Sequence, residues 1–335
     1  MKPVFKIIAN HQQDITPKVN DRLLSLNITD KAGIEYDDFE IELDDRDNKI
    51  DFPNRDVVLD ISLGYDANDL FFMGSYKVDE VEIKSPPQSM IIRGKPASMT
   101  GSLKNERRCA FENKPLNEIV QIIAERNNLT PLCEITDIVK RIDQINESDM
   151  HFIQRLANEH NATSTIKDSK LIVISHSEKS NNNGETQNLT ILKSDVSNFS
   201  ITYPDRANLK KSTATYADNN TGEIKKVEIE NPNASNDNED NFTDRHIYPD
   251  EETAKSAAQA NLAEAERQTV RGRLQFFKGR GDVFAEQNIN LQGFKNGVDG
   301  EYCIESVNHT FNQSGWLTSI EFNAGKNGKA KVGRK

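Results

Sequence analysis

Apolar and polar positions alternate with a period of two along most of the first hundred residues. Within residues 39–44, every second side chain is apolar and the three between them are carboxylates, Glu40, Glu42 and Asp44. This alternation is typical of a strand with one buried and one solvated face. Further strands are predicted over residues 4–9, 24–29, 57–63, 71–76, 78–83 and 90–93. Short strands at this spacing, without helices between them, indicate an antiparallel β-barrel or sandwich over residues 1–103.

The pattern changes to helical spacing after residue 104. Pro115 suits the first position of a helix whose apolar face has residues 116, 119, 120 and 123. A second helix begins after Ser148, whose hydroxyl is a good N-cap, and Phe152 and Leu156 lie on its apolar face. Residues 154, 155 and 159 are expected to point outward. A hairpin over residues 163–175 follows, so residues 104–175 are predicted to form an α/β domain.

The remaining chain is predicted to be β again, with one long helix. Residues 176–188 form a polar linker, and strands are predicted from residue 189 to residue 230. Residues 230–252 are acidic and Asn-rich, which favours a loop, and a helix is predicted from Pro249 to near Gly272. We therefore predict a second barrel from residues 189–230 and 272–324, with the acidic loop and helix of residues 231–271 inserted. Residues 325–335 form a basic tail.

Composition excludes several classes of protein. The chain has 335 residues and a net charge of −11, which argues against a general nucleic-acid-binding surface. It has no apolar run long enough to span a bilayer and no signal-peptide pattern at its start, so no membrane insertion is expected. Cys109, Cys133 and Cys303 are far apart and odd in number, which favours reduced thiols and folding in a cytoplasm.

The search for catalytic chemistry finds no motif. The six histidines show no HExxH pattern, and the chain has no GxSxG, P-loop or dinucleotide fingerprint. We predict no catalytic residue, no cofactor and no metal site.

Several motifs carry a resemblance to a known family. Asn-Glu-Ser-Asp at 146–149, Phe-Ile-x-Arg-Leu-Ala at 152–157 and Lys-Asp-x-Lys-Leu at 167–171 resemble the late control protein D family. These are baseplate hub proteins of contractile-tailed phages, related to the N-terminal half of the type VI secretion spike protein. Asp-Gly-Glu-Tyr at 299–302 and Gly-Trp-x-Thr-x-Ile-Glu-Phe at 315–322 extend the resemblance, which covers roughly residues 5 to 324.

The resemblance implies a mixed, mainly β (α+β) fold, with two small antiparallel barrels joined by an α/β domain. It implies a homotrimer that places six similar barrels in a ring, with the tail tube protein on one face and a trimeric spike protein on the other. The spike is expected to be a separate polypeptide, since no needle domain follows residue 324. Other baseplate proteins are possible partners, and DNA is expected only as passing cargo.

The implied location is the virion tail baseplate, after synthesis and assembly in the bacterial host cytoplasm. A wall that passes DNA must not attract phosphate, so we expect a neutral or negative channel lining with Glu40, Glu42 and Asp44 as candidates. Three alternatives remain open at this point. They are a hub of a type VI or extracellular contractile injection system, a baseplate cell-wall hydrolase, and a carbohydrate-binding β-sandwich.

Overall fold

The computed structural model describes residues 2–33, 37–54, 56–97, 101–167, 169–175, 189–204, 209–218, 221–232, 234 and 240–325. The predicted linker 176–188 and the tail beyond Gly325 therefore lie outside the described residues. The helices are α1 (Thr16–Asn20), α2 (Leu116–Arg126), α3 (Asp149–Glu159) and α4 (Glu251–Arg267). The strands are β1 (Val4–Ala9), β2 (Gln13–Asp14), β3 (Leu23–Lys31), β4 (Asp38–Asp44), β5 (Val58–Asp66), β6 (Asp69–Lys84), β7 (Ser89–Pro96), β8 (Glu106–Pro115), β9 (Thr130–Cys133), β10 (Ile138–Ser148), β11 (Ala162–Lys167), β12 (Lys170–Ser175), β13 (Leu189–Leu192), β14 (Val196–Thr202), β15 (Lys211–Ala217), β16 (Ile224–Glu230), β17 (Asn241–Tyr248), β18 (Arg271–Phe276), β19 (Asn288–Gln292), β20 (Gly300–Asn312) and β21 (Gly315–Asn323).

The predicted mainly β fold is confirmed, and hydrogen bonds join the two predicted barrel regions into one 13-stranded sheet. The connection is antiparallel pairing of β3 with β20, in which residues 25–31 lie opposite residues 306–312. We call this pairing the internal seam. Within the described residues, no strand pairing closes either region into a separate barrel.

The strand order on the two sides of the internal seam is the same. On one side the order is β3-β4-β7-β6-β5-β1, and on the other it is β14-β18-β21-β20, continued by β19 and β13. We call these two sets the first repeat and the second repeat. Chain order agrees as well, because β3 corresponds to β14, β4 to β18, β6 to β20 and β7 to β21.

Irregularities of register fall at the same places in both repeats. The pairing of β3 with β4 shifts between Leu23 and Ser25, and that of β14 with β18 shifts between Val196 and Asn198. The pairing of β6 with β7 shifts between residues 78 and 80, and that of β20 with β21 between residues 304 and 306. A bulge inserts one residue and changes the local twist, so matched bulges give the two repeats the same local geometry.

The repeats also share side chains and backbone conformation. Tyr76 and Tyr302 occupy equivalent positions, are nearly fully buried, and donate their hydroxyls to the carbonyls of Met73 and Val298. Two residues before each tyrosine lies a glycine with positive φ, 138° at Gly74 and 136° at Gly300. Because the register fixes these equivalences, the chain contains one five-stranded β-unit twice, as β3 to β7 and as β14 with β18 to β21. The outermost strands differ, since β1 pairs antiparallel with β5 whereas β13 pairs parallel with β19.

The core of the intervening region is formed by α2 and α3 with β8 to β12. Phe152 and Leu156 of α3 are 0% and 1% exposed, and the Phe152 ring stacks on Phe111 with 5.5 Å between ring centroids. The α3 helix contacts β11, and β11 pairs antiparallel with β12 as the predicted hairpin does. This helix begins and ends as its sequence predicts, since Asn161 has a φ of 49° just beyond it.

The expectation that residues 155 and 159 point outward is wrong. Arg155 and Glu159 are both half-buried, and Arg155 forms ion pairs with Glu159 at 3.3 Å and with Glu147 at 2.8 Å. The α4 helix contacts α3 and encloses this side of the helix. Burial raises the pKa of Glu159, although the charge of Arg155 opposes that change.

The region from residue 211 to residue 270 differs from the prediction. Strands β15 and β16, assigned by sequence to the second barrel, form instead a separate three-stranded sheet with β17, in the order β16-β15-β17. The β17 strand lies inside the segment predicted as a loop. It is held by parallel pairing with β15, and Asp244 accepts hydrogen bonds from Tyr248 and Asn261. The β15 strand and Asn261 are distant in sequence from β17, and no alternation of apolar residues marks the strand.

Two further bounds differ from the prediction. The α4 helix ends at Arg267 rather than near Gly272, because residues 271–276 pair with β14 and β21. Residues 71–76 and 78–83 form one continuous strand, β6, rather than two. Its first half pairs with β5 on one edge, and its second half pairs with β7 on the other edge. This change of partner explains the break in the alternation of apolar and polar residues along β6.

Candidate interaction surface

The predicted acidic strand forms part of an extended polar face. In β4, Phe39, Ile41 and Leu43 are 1% to 5% exposed and belong to the first-repeat core, so Glu40 and Glu42 point to the other side of the sheet. We call this side of β3, β4, β7 and β6, and the equivalent side of the second repeat, the polar face. A face without core contacts on a continuous sheet is available for a lumen or a partner.

An arginine among three carboxylates dominates the polar face of the first repeat. Arg93 binds Glu40 at 2.7 Å through Nε, and Glu80 at 3.0 Å and Glu82 at 2.8 Å through Nη1. The hydrogen bonds to Glu40 and Glu82 raise the pKa of Arg93 above its usual range. Carboxylates outnumber the cation, so this part of the face is negative.

The other two predicted acidic positions have their own partners. Glu42 accepts a hydrogen bond from the Ser89 hydroxyl at 2.9 Å. Asp44 lies at the end of β4 and binds Arg46, whose side-chain hydrogen bonds lower the pKa of Asp44. The structure therefore places Glu40 and Glu42 on the polar face and Asp44 at the end of the same strand.

On the polar face of the second repeat, the positive and negative side chains have changed strands relative to the first repeat. Arg273 corresponds to Glu40, and Glu321, opposite it on β21, corresponds to Arg93. Arg271 and Arg273 are both exposed. Sequence reasoning missed these arginines because the equivalence of β18 with β4 appears only once both registers are known.

A cluster of charged residues holds the internal seam to the α/β region. Lys167 forms an ion pair with Asp30 of β3, and the second carboxylate oxygen of Asp30 accepts a 2.7 Å hydrogen bond from the Ala285 amide. Across the same junction, the Gly33 amide donates to Glu286 at 2.9 Å. Thus Asp30 links the first repeat, the hairpin β11–β12 and the second repeat.

Burial changes the ionisation of this junction. Desolvation, helped by the neighbouring Asp30, raises the pKa of Asp37 to about 7 against the opposing charge of Lys167. Desolvation also lowers the pKa of His309 to about 4, and its Nδ1 lies 2.9 Å from the Thr318 hydroxyl. Asp37 and His309 line a cavity of about 720 Å³ between the repeats and the hairpin.

The start of α3 not only caps the helix, as predicted, but also places a buried carboxylate that the sequence did not reveal. The Ser148 hydroxyl accepts a hydrogen bond from the His151 amide at 3.3 Å, as an N-cap does. Next to it, Asp149 is fully buried and accepts hydrogen bonds from Arg107 at 3.0 Å, Asn127 at 2.9 Å and Gln144 at 3.0 Å. These donors come from β8, the end of α2 and β10, so one carboxylate joins three elements to α3.

Within the described residues, no group of three or more His, Cys, Asp or Glu side chains is arranged to hold a metal ion. None of the helices in that part of the chain has the length and apolar character needed to cross a bilayer.

Comparison with known proteins agrees with this architecture over nearly the whole chain. The profile of the family described as phage tail baseplate hub (GPD) matches residues 34–315. The probable baseplate hub protein of Escherichia phage 186 is 28% identical, with 96% of this chain and 92% of that protein covered. The corresponding protein of Escherichia phage P2 is also 28% identical over 92% of this chain and 90% of its own length.

Solved structures show the same fold at low sequence identity. The tail protein from Neisseria meningitidis MC58 is similar with a TM-score of 0.73 and 10% identity, covering 98% of this chain and 99% of that chain.

Proposed function

The chain belongs to the phage tail baseplate hub (GPD) family and is a structural component of a phage tail, and from this premise we propose that it forms a homotrimer adapting a sixfold tail tube to a trimeric spike. The observation that carries the proposal is the internal duplication. Two β-units with the same strand order lie side by side in one sheet of a single chain.

The physical reason is symmetry. A threefold spike cannot present equivalent contacts to a sixfold tube, whereas three chains with two similar units each present six. One face of such a ring contacts the trimeric spike protein, and its opposite face contacts the tail tube protein. Other baseplate proteins bind at its periphery, and the ring is assembled in the bacterial host cytoplasm.

The polar face fits the wall of the central channel, with DNA as passing cargo. Residues Glu40, Glu42, Glu80 and Glu82 oppose Arg93 in the first repeat, and Arg271 and Arg273 oppose Glu321 in the second. Mixed charge with an acidic excess keeps the phosphate backbone off the wall, because each added cation would bind a phosphate and release a counterion.

The oligomeric state tests the adaptor directly. Sedimentation should give the mass of a trimer, and low-resolution particle images should show a ring with a central opening. Purified spike protein is added in a parallel sample, since a threefold partner stabilises a threefold ring. A stable dimer or tetramer under both conditions contradicts the proposal.

Binding of short duplex DNA to the ring tests the channel lining. The wild type should bind weakly at low salt, whereas Glu40→Lys/Glu42→Lys should bind with a steep salt dependence. The matched control is Glu125→Lys/Glu134→Lys, which makes the same charge change at exposed positions of the α/β region. Equal DNA binding by the two double variants would show that net charge matters and that the polar face is not the lining.

A further inference from the structure

The internal seam uses two strand edges whose equivalents are unpaired among the residues that the structure describes. In the second repeat, β20 pairs with β19 through residues 300–303, and β3 then continues on β20 through residues 306–312. The first-repeat equivalent, β6, pairs with β5 through residues 69–77. Within the described residues, no strand continues beyond β5 along the same edge of β6, so residues 79–84 pair with β7 alone.

The other strand of the seam has a free counterpart as well. The β3 strand lies between β4 and β20, whereas its second-repeat equivalent, β14, pairs only with β18 in the part of the chain that the structure describes. Over the described ranges, β6 therefore has one edge without the strand that β20 has there, and β14 has one edge without the partner that β3 has. Unpaired edges of this kind are templates for another strand.

We infer that β14 of one copy pairs antiparallel with the second half of β6 of the next copy, as β3 pairs with β20 inside the chain. This inference rests on the proposed trimer and assigns the contact between its subunits. Transferring the register of the internal seam through the matched bulges sets Ile201 opposite Ile83, Thr202 opposite Glu82 and Ser200 opposite Lys84.

Burial supports this register. Ile83 is 46% exposed, whereas the equivalent His309 of the internal seam is 3% exposed. Ile201 is half-buried, whereas the equivalent Ile28 is 1% exposed. Both isoleucines are more exposed than their equivalents because, within the described residues, each strand has a partner on only one edge, and pairing the two strands buries both apolar side chains.

The polar partners also correspond. In the internal seam, Asn308 Nδ2 donates to the Thr29 hydroxyl oxygen at 3.3 Å. The equivalent residues are Glu82 and Thr202, so the Thr202 hydroxyl donates to the Glu82 carboxylate between subunits. The threonine accepts the hydrogen bond in the internal seam and donates it between subunits, but in both contacts the bond connects the same two strand positions.

The contact between subunits is shorter than the internal seam. The internal seam has seven residue pairs. The equivalent pairing between subunits reaches Pro86 shortly after Lys84, and proline has no amide hydrogen to donate. The inferred contact is head-to-tail, because it joins two different strands, and such a contact forms a closed ring only at a fixed number of copies.

Disulfide cross-linking tests the register. In a Cys109→Ser/Cys133→Ser background, the variant Ile83→Cys/Ile201→Cys is oxidised and run without reductant. Six strands separate β6 from β14 within one chain, so a bond between these cysteines joins two copies. We expect a covalent trimer that reducing agent converts to monomer, since a disulfide requires Cα atoms within about 7 Å.

The matched control moves one cysteine by two residues along β14, as Ile83→Cys/Phe199→Cys. The background, in which buried Cys303 remains, and each variant with only one introduced cysteine are run beside it. A covalent trimer only from the 83/201 pair supports the inferred register. A trimeric mass with no cross-link, or with equal cross-linking of the 83/199 pair, overturns the register and leaves the trimer standing. A chain that stays monomeric with spike protein present and forms no cross-link overturns both.

Discussion

The two repeats build the same sheet with side chains placed on opposite strands. In the first repeat, Phe39 of β4 lies opposite Gly94 of β7, and its ring contacts Tyr76 with 5.2 Å between centroids. In the second repeat, the glycine is on the β4 equivalent, Gly272, and the ring is on the β7 equivalent, Phe322, 5.0 Å from Tyr302. In each repeat one phenylalanine and one tyrosine fill the same space. The two tyrosines lie on equivalent strands, whereas the phenylalanine lies on β4 in the first repeat and on β21 in the second.

The polar face shows the same exchange. Glu40 on β4 faces Arg93 on β7, whereas Arg273 on β18 faces Glu321 on β21. In both cases the pair is retained and its members change places. The fold therefore requires complementary partners across two strands, of size inside and of charge outside, and it does not specify which strand carries which partner.

The largest expected effect is loss of either ring. Phe39→Ala and Phe322→Ala should each lower the free energy of unfolding by about 3–5 kcal/mol, because each leaves a cavity beside a buried tyrosine. Chemical denaturation of the two variants measures both values. A large loss for one variant and almost none for the other would show that the two aromatic pairs are not equivalent.

The next effect concerns the α/β region. This region lies between the two repeats in sequence and has no equivalent in either repeat. Leu156→Ala should cost about 2–5 kcal/mol, since Leu156 is 1% exposed in the α/β core. Ser148→Ala at the start of the same helix should cost only about 1 kcal/mol through loss of the cap. Thermal melting compares the variants, and an unchanged curve for Leu156→Ala would contradict the packing of α3.

Alanine substitutions at the two glycines opposite the rings should show a difference between the repeats. An added Cβ at Gly272 would lie 2.0 Å from the Phe322 ring, so Gly272→Ala should cost about 1–3 kcal/mol, and Phe322→Ala should remove most of that cost. At Gly94 the added Cβ would also lie 2.3 Å from the Lys77 carbonyl oxygen. Gly94→Ala should therefore remain costly when Phe39 is replaced by alanine. Double-mutant cycles measure both couplings, and equal couplings would contradict this difference.

The last prediction concerns pH at the internal seam, where His309 occupies the position that Ile83 has in the first repeat; the net effect in the wild type is small because two groups oppose each other. Because the pKa of folded Asp37 is about 7, the native chain binds an extra proton above pH 4, and this lowers stability as pH rises towards 7. Because the pKa of folded His309 is about 4, the unfolded chain binds the extra proton between pH 4 and about 6.5, and this raises stability with pH.

The two groups therefore oppose each other between pH 4 and pH 6.5. Asp37→Asn should make the free energy of unfolding rise more steeply with pH than in the wild type, and His309→Gln should make it rise less steeply or fall. Urea denaturation at several pH values in this range gives the slopes. Identical slopes in all three proteins would mean that neither group titrates differently on folding.

Much of the local structure followed from sequence because its causes are local. The alternation at residues 39–44 requires one buried face, and Ser148 with the spacing of Phe152 and Leu156 specifies a capped helix with one apolar side. The same motifs carried the family resemblance. The excess of carboxylates is the basis for expecting a face that avoids nucleic acid, and that expectation stays a prediction. The strands that share a face with Glu40 and Glu42 could not be identified from sequence.

The tertiary structure alone decided which strands are neighbours. Alternation shows which side chains of a strand are buried, but backbone hydrogen bonds to a partner strand leave no mark in the sequence of either strand. For this reason the seam between β3 and β20, the β17 strand in an acidic segment, and the Asp149 contacts with Arg107 and Gln144 were not predictable. The family resemblance implies two similar β-units, but the residues that correspond between them were hidden for the same physical reason. Matched positions exchange phenylalanine with glycine and glutamate with arginine, and only the register of hydrogen-bonded strands makes them equivalent.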